Sequence, residues 1–98
     1  MLATFHAVAR AKERLGFAPE LSQWAQVVLD ITDTISGERT AALLQAKLPD
    51  NRERWRVTLA GCDVSVIYCP DTCVVITVMP ANMRLADQWL RRYGIRKQ

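Results

Sequence analysis

The sequence predicts an α+β domain, and three observations carry that expectation. Apolar residues recur at helical spacing through the first third of the chain, the apolar period changes to two between residues 54 and 79, and no linker-like stretch separates the regimes. A chain of 98 residues makes one domain with one core, since about two thirds of the unfolded surface is buried at this size. The expected order is two or three helices, an antiparallel meander of three strands or four, and a closing helix.

The first helix is expected over 4–15, with Thr4 as N-cap and Gly16 as the left-handed stop. At about 100° per residue, Phe5, Val8, Ala11 and Leu15 share one side, while His6, Arg10, Glu13 and Arg14 fall in an opposing arc. A second helix opens at Ala18-Pro19-Glu20, where proline suits the first turn and glutamate the positive end of the dipole. Leu21, Trp24, Val28 and Ile31 make its inward stripe, and the Thr, Asp, Ser and Gly of 30–37 close it. Residues 38–48 are rich in Ala, Leu, Gln and Lys and read as a short helix capped by Ser36, with a strand as the alternative. Pro49-Asp50-Asn51 ends that segment either way.

From residue 54 the alternation is that of strands. Trp55, Val57 and Leu59 alternate with Arg54, Arg56 and Thr58; Ala60-Gly61 turns the chain; Val64, Val66 and Tyr68 alternate with Asp63, Ser65 and Ile67. After Pro70-Asp71-Thr72, Val74, Ile76 and Val78 continue the pattern. A two-residue first loop sets Leu59 opposite Cys62, Val57 opposite Val64 and Trp55 opposite Val66; a three-residue second loop sets Cys69 opposite Cys73, Ile67 opposite Val75 and Ser65 opposite Thr77. One face then carries the core, and the other aligns Arg56, Ser65 and Thr77 in a row. A final helix is expected over 82–93, with Leu85, Trp89 and Tyr93 inward and Arg91, Arg92, Arg96 and Lys97 as a basic tail.

The Arg56 row has two readings. It is a solvated sheet face in which Arg56 pairs with Asp63, or it is a phosphate-binding surface in which an arginine fork is flanked by two hydroxyls. His6 is likewise a plain surface side chain or a general acid–base group, with Arg10 one turn on to hold a phosphate and Glu13 to pair with Arg10 or orient the ring. A first helix packed on the core face aims His6 away from the Arg56 row; the two meet if the sheet curls strongly or the helix sits at its edge.

Three cysteines, Cys62, Cys69 and Cys73, leave an odd thiol, so reduced thiols are expected, although Cys69 and Cys73 would close a hairpin disulfide on oxidation. With one histidine and no second cysteine pair, no metal or cofactor is expected. The longest apolar run, Cys73 to Met79, is broken by Thr77 and falls far below the ~20 residues of a membrane span. There is no secretory pattern at the start, so a cytoplasmic location is expected. A net charge of +3 permits an acidic partner.

The run His6-Ala7-x-x-Arg10-x-x-Glu13-Arg14, with Arg54-Trp55-Arg56-Val57 and Val75-Ile76-Thr77-Val78 further on, resembles small phage- and plasmid-encoded domains of the BrnT and RelE toxin type, in the barnase, EndoU, colicin and RelE group of RNases. The resemblance implies a metal-independent endoribonuclease with His6, Arg10, Glu13, Arg56 and Thr77 as catalytic residues. Beside these, the residues expected to contact nucleic acid are Arg14, Arg54, Ser65, Arg91 and Arg92, and the expected protein partner is a host protein or an antitoxin. The alternatives are a mobile-element protein that binds and blocks a host protein through Trp24, Trp89 and Tyr93, a homodimer among its forms, and a nucleic-acid-binding module that does not cleave.

Overall fold

The structure, a computed structural model, describes residues 1–80. The closing helix expected over 82–93, with Trp89, Arg91, Arg92 and Tyr93, lies outside the described residues. Two helices, α1 (Phe5–Leu15) and α2 (Leu21–Ser36), precede a four-stranded antiparallel sheet of β1 (Leu43–Leu48), β2 (Arg52–Leu59), β3 (Cys62–Cys69) and β4 (Val74–Pro80) in the order β1-β2-β3-β4. The fold class is therefore α+β, with two N-terminal helices and not three.

Helix α1 begins as its sequence requires: the Thr4 hydroxyl accepts the Ala7 N–H at 3.0 Å, and the left-handed Gly16 donates its N–H to the Lys12 carbonyl at 2.9 Å. Its inward face is Ala7 and Ala11, with Val8 and Leu15 partly buried against the core. Phe5, expected inward, is 87% exposed. It lies roughly 120° from the centre of the Ala7-Ala11-Leu15 stripe, and alanines let the helix approach the sheet without it. A short parallel bridge sets α1 on the outer edge of β4: Thr4 N–H donates to the Val75 carbonyl at 3.0 Å, Val75 N–H to Leu2 at 2.9 Å, and the Thr4 hydroxyl to Ile76 at 2.8 Å.

Helix α2 packs over β2 through Trp24, Val27 and Ile31. The expected stripe is displaced by about 50° around the helix: Leu21 is 72% exposed and Val27 takes the buried place. The helix also runs on to Ser36, because its polar C-terminal residues are satisfied within it. The Thr34 hydroxyl donates to the Asp30 carbonyl at 2.7 Å, and Arg39 reaches back to Asp30 at 2.6 Å and Asp33 at 2.7 Å. Asp30, nearly buried, also accepts from Gln26.

Residues 43–48, expected first as a helix, form the edge strand β1. Asp50 and Asn51 both adopt left-handed φ, a turn that returns the chain as β2 and pairs Leu48 with Arg52, so ladder formation overrides helix propensity. The β2–β3 register is the expected one throughout: Leu59 faces Cys62, Val57 faces Val64 and Trp55 faces Val66. The β3–β4 register is not. Cys73 enters the loop with φ 56°, so the loop has four residues and Cys69 faces Val74; a bulge follows between Ile67 and Tyr68. Ser65 consequently faces Met79, and Thr77 faces Ile67. The bulge also turns Val75 into the core in place of Ile76.

The main core lies between the helices and one face of the sheet: Ala7, Ala11, Trp24, Val27 and Ile31 against Trp55, Val57, Leu59, Val64, Val66, Tyr68, Val75 and Val78. On the opposite face Leu48, Ile67 and Met79 form a second, smaller cluster.

Candidate functional site

Arg56, Ser65 and Thr77 do not form one row. The structure gives two, Arg56–Ser65–Met79 and Arg54–Ile67–Thr77, because the longer β3–β4 loop moves β4 along β3. Nor is this face solvated: Arg54 is 5%, Ser65 0% and Thr77 6% exposed. A bulge between Leu44 and Ala46 brings Gln45 within reach of β3, and the Ser65 hydroxyl donates to its side-chain oxygen at 2.7 Å. Burial pulls the Arg54 pKa down from its usual value. Arg56 is the member of the two rows that reaches solvent.

Arg56 meets Asp63 diagonally across the β2–β3 ladder. Its Nε donates to both carboxylate oxygens at 3.0 Å, and its Nη2 donates to Asp63 Oδ2 as well. These hydrogen bonds, and then the guanidinium charge, hold the Asp63 carboxyl below the usual carboxylate range and raise Arg56 in turn. Both side chains remain about half exposed, so a solvent ligand can compete for the guanidinium. Asp63 was legible from the register, as the partner of Thr58 one step from Arg56.

The pair forms a wall shared by two open grooves. One, of about 690 Å³, runs between the C-terminal end of α1 and the sheet and is lined by Glu13, Arg14, Leu15, Arg56, Cys62, Asp63, Val64 and Pro80. The other, of about 280 Å³, is lined by residues 40–43 with Arg56, Val57, Thr58 and Asp63. Helix α1 does sit at the sheet's edge, and it is its last turn that shares a groove with Arg56. His6 is exposed at the other end of α1, roughly 10 Å of helical rise from Glu13, and does not line the groove. Arg10 pairs with Glu13 at 3.0 Å. Thr77, in the second row and nearly buried, is not among the groove residues either.

Trp24, expected at a partner surface, is 4% exposed and belongs to the main core, where it packs between α2 and the sheet. Among the described residues no three His, Cys, Asp or Glu side chains gather to hold a metal ion, and no helix is long and apolar enough to cross a membrane. No protein-family model, curated protein or solved structure matches this chain.

Proposed function

We propose that this chain is an RNA-binding domain that holds a phosphodiester backbone across Arg56, with Arg14 as the second cation in the larger groove. The observation that carries the reading is the position of Arg56, charged, half exposed and common to two adjoining open grooves, as a polymer crossing from one to the other requires. A guanidinium fork suits phosphate oxygens, and the phosphate would take the place that Asp63 now fills.

The test is binding of a fluorescent single-stranded RNA followed by anisotropy at several salt concentrations. Binding should weaken with salt, and Arg56→Gln should lower the salt slope by about 0.7 for one lost contact to a single strand. Salt-independent binding, or affinity unchanged in both Arg56→Gln and Arg14→Gln, overturns the reading.

A second reading, a metal-independent endoribonuclease, is favoured by one further observation: Glu13 lines the same groove as Arg14 and Arg56. Its carboxylate would take the 2′-hydroxyl proton while the arginines hold the phosphate. RNA should then be cleaved in EDTA, Glu13→Gln should abolish cleavage, and His6→Ala should leave it intact; RNA left whole by folded protein rejects this second reading.

A further inference from the structure

The β3–β4 turn, Cys69-Pro70-Asp71-Thr72-Cys73, holds two free thiols that the groove does not use. Cys73 is exposed on a left-handed backbone, and its thiol donates to the Pro70 carbonyl at 3.8 Å. Cys69 is buried at the end of β3, with the Thr72 hydroxyl, the N–H groups of Thr72 and Asp71 and the Arg52 charge in its surroundings. Those interactions, the Thr72 hydroxyl first, lower the Cys69 pKa from its usual value. Tyr68 beside it is buried, and that burial pushes its pKa well up.

The spacing suits a bond. Cys69 faces Val74, and facing Cα atoms in a ladder are about 4.5–5.5 Å apart. Cys73 is the residue before that partner, one position from facing Cys69, and a disulfide bridges Cα atoms about 4.4–6.8 Å apart.

We propose that Cys73 and Cys69 are a hydroperoxide-reactive pair, Cys73 as the thiol that attacks the peroxide and Cys69 as the thiol that resolves the product. Cys73 sulfur attacks one peroxide oxygen, the O–O bond breaks, and the departing hydroxide takes the thiol proton as water, leaving a sulfenic acid. Cys69 sulfur then attacks Cys73 sulfur, the S–O bond breaks, and the hydroxide released takes the Cys69 proton as a second water. Two thiols are oxidised to one disulfide while one peroxide is reduced to two waters. The exposure of Cys73 admits the oxidant, and the donors around Cys69 favour its thiolate where only the neighbouring sulfenic acid can reach it.

The experiment treats the reduced wild-type protein with hydrogen peroxide, alkylates the remaining thiols and maps peptides by mass spectrometry. A Cys69–Cys73 disulfide, with Cys62 recovered alkylated, is the expected result. Recovery of both thiols in alkylated form, oxidation of Cys62 ahead of them, or overoxidation of Cys73 without a disulfide overturns the proposal. In Cys69→Ser the Cys73 sulfenic acid should be trapped by a 1,3-diketone, and in Cys73→Ser the Cys69 thiol should survive peroxide; the wild-type measurement stands without either variant.

Discussion

Thr34 is the joint between the helical half of the molecule and the sheet, and its removal has a calculable effect. Its hydroxyl donates to the Asp30 carbonyl at 2.7 Å and accepts the N–H groups of Ala41 at 3.0 Å and Ala42 at 3.1 Å, tying the last turn of α2 to the approach to β1. Thr34→Val keeps the side-chain shape and deletes all three bonds, leaving two partly buried donors without an acceptor. At about 0.5–1.5 kcal/mol net per bond, reduced where water can enter a part-buried site, the loss is about 2 kcal/mol. For a domain of this size that lowers Tm by about 10 °C. Urea unfolding followed by fluorescence reads it directly, since Trp24 and Trp55 are buried and change environment on unfolding. Thr32→Val is the control, because its hydroxyl only donates to the Leu29 carbonyl at 3.1 Å on an exposed stretch, and should cost less than about 0.5 kcal/mol. Equal losses in the two variants would refute the assignment of Thr34 as the joint.

Asp63→Asn should strengthen RNA binding, the opposite of Arg56→Gln, because it removes the carboxylate that competes for the guanidinium; anisotropy titration of the two variants side by side checks the sign. The Asp63 carboxyl is held low by Arg56, so its contribution to stability is present above the ordinary carboxylate pKa of about 3.9 and is lost as pH falls through the lower folded value. Carboxyl NMR titration should find the Asp63 midpoint below that of a free aspartate in the wild type and restored in Arg56→Gln. Ala60 adopts φ 52° beside Gly61 at φ 80° in the two-residue β2–β3 turn, where asparagine is the favoured first residue. Ala60→Asn should therefore stabilise by about 1 kcal/mol in the same urea assay, and an unchanged midpoint would speak against a strained Ala60.

How far the sequence was legible varies along the chain, for physical reasons. Caps and two-residue turns are local, so Thr4, Gly16 and the Ala60-Gly61 turn were readable, and with that turn the whole β2–β3 register. The β3–β4 register was not, because a non-glycine residue, Cys73, occupies the left-handed loop position that sequence reasoning assigns to Gly or Asn. One extra loop residue and a bulge then parted Thr77 from Ser65 and dissolved the three-residue row. Residues 43–48 are good helix formers, and it is pairing with β2 that makes them a strand. In the candidate site, Arg56 and Glu13 were identifiable by chemistry, while the separation of His6 from Arg56 depends on which end of α1 shares the groove with Arg56. That end is set by the bridge between residues 2–4 and β4, a contact across most of the chain that no local pattern encodes.

That bridge also fixes an order of events in time. Thr4 and Ile76 are 72 positions apart in the chain, so Thr4 leaves a ribosome well before its partner in the fourth strand has been made. Helix α1 has a strong cap and stop of its own, but fully buries only two alanines, and it gains its anchorage when β4 arrives. A contact of such long sequence separation slows folding through the entropy of closing the loop. Residues 2–4 are thus made well before they are secured, and until they dock, the outer edge of β4 stays open to any other extended chain.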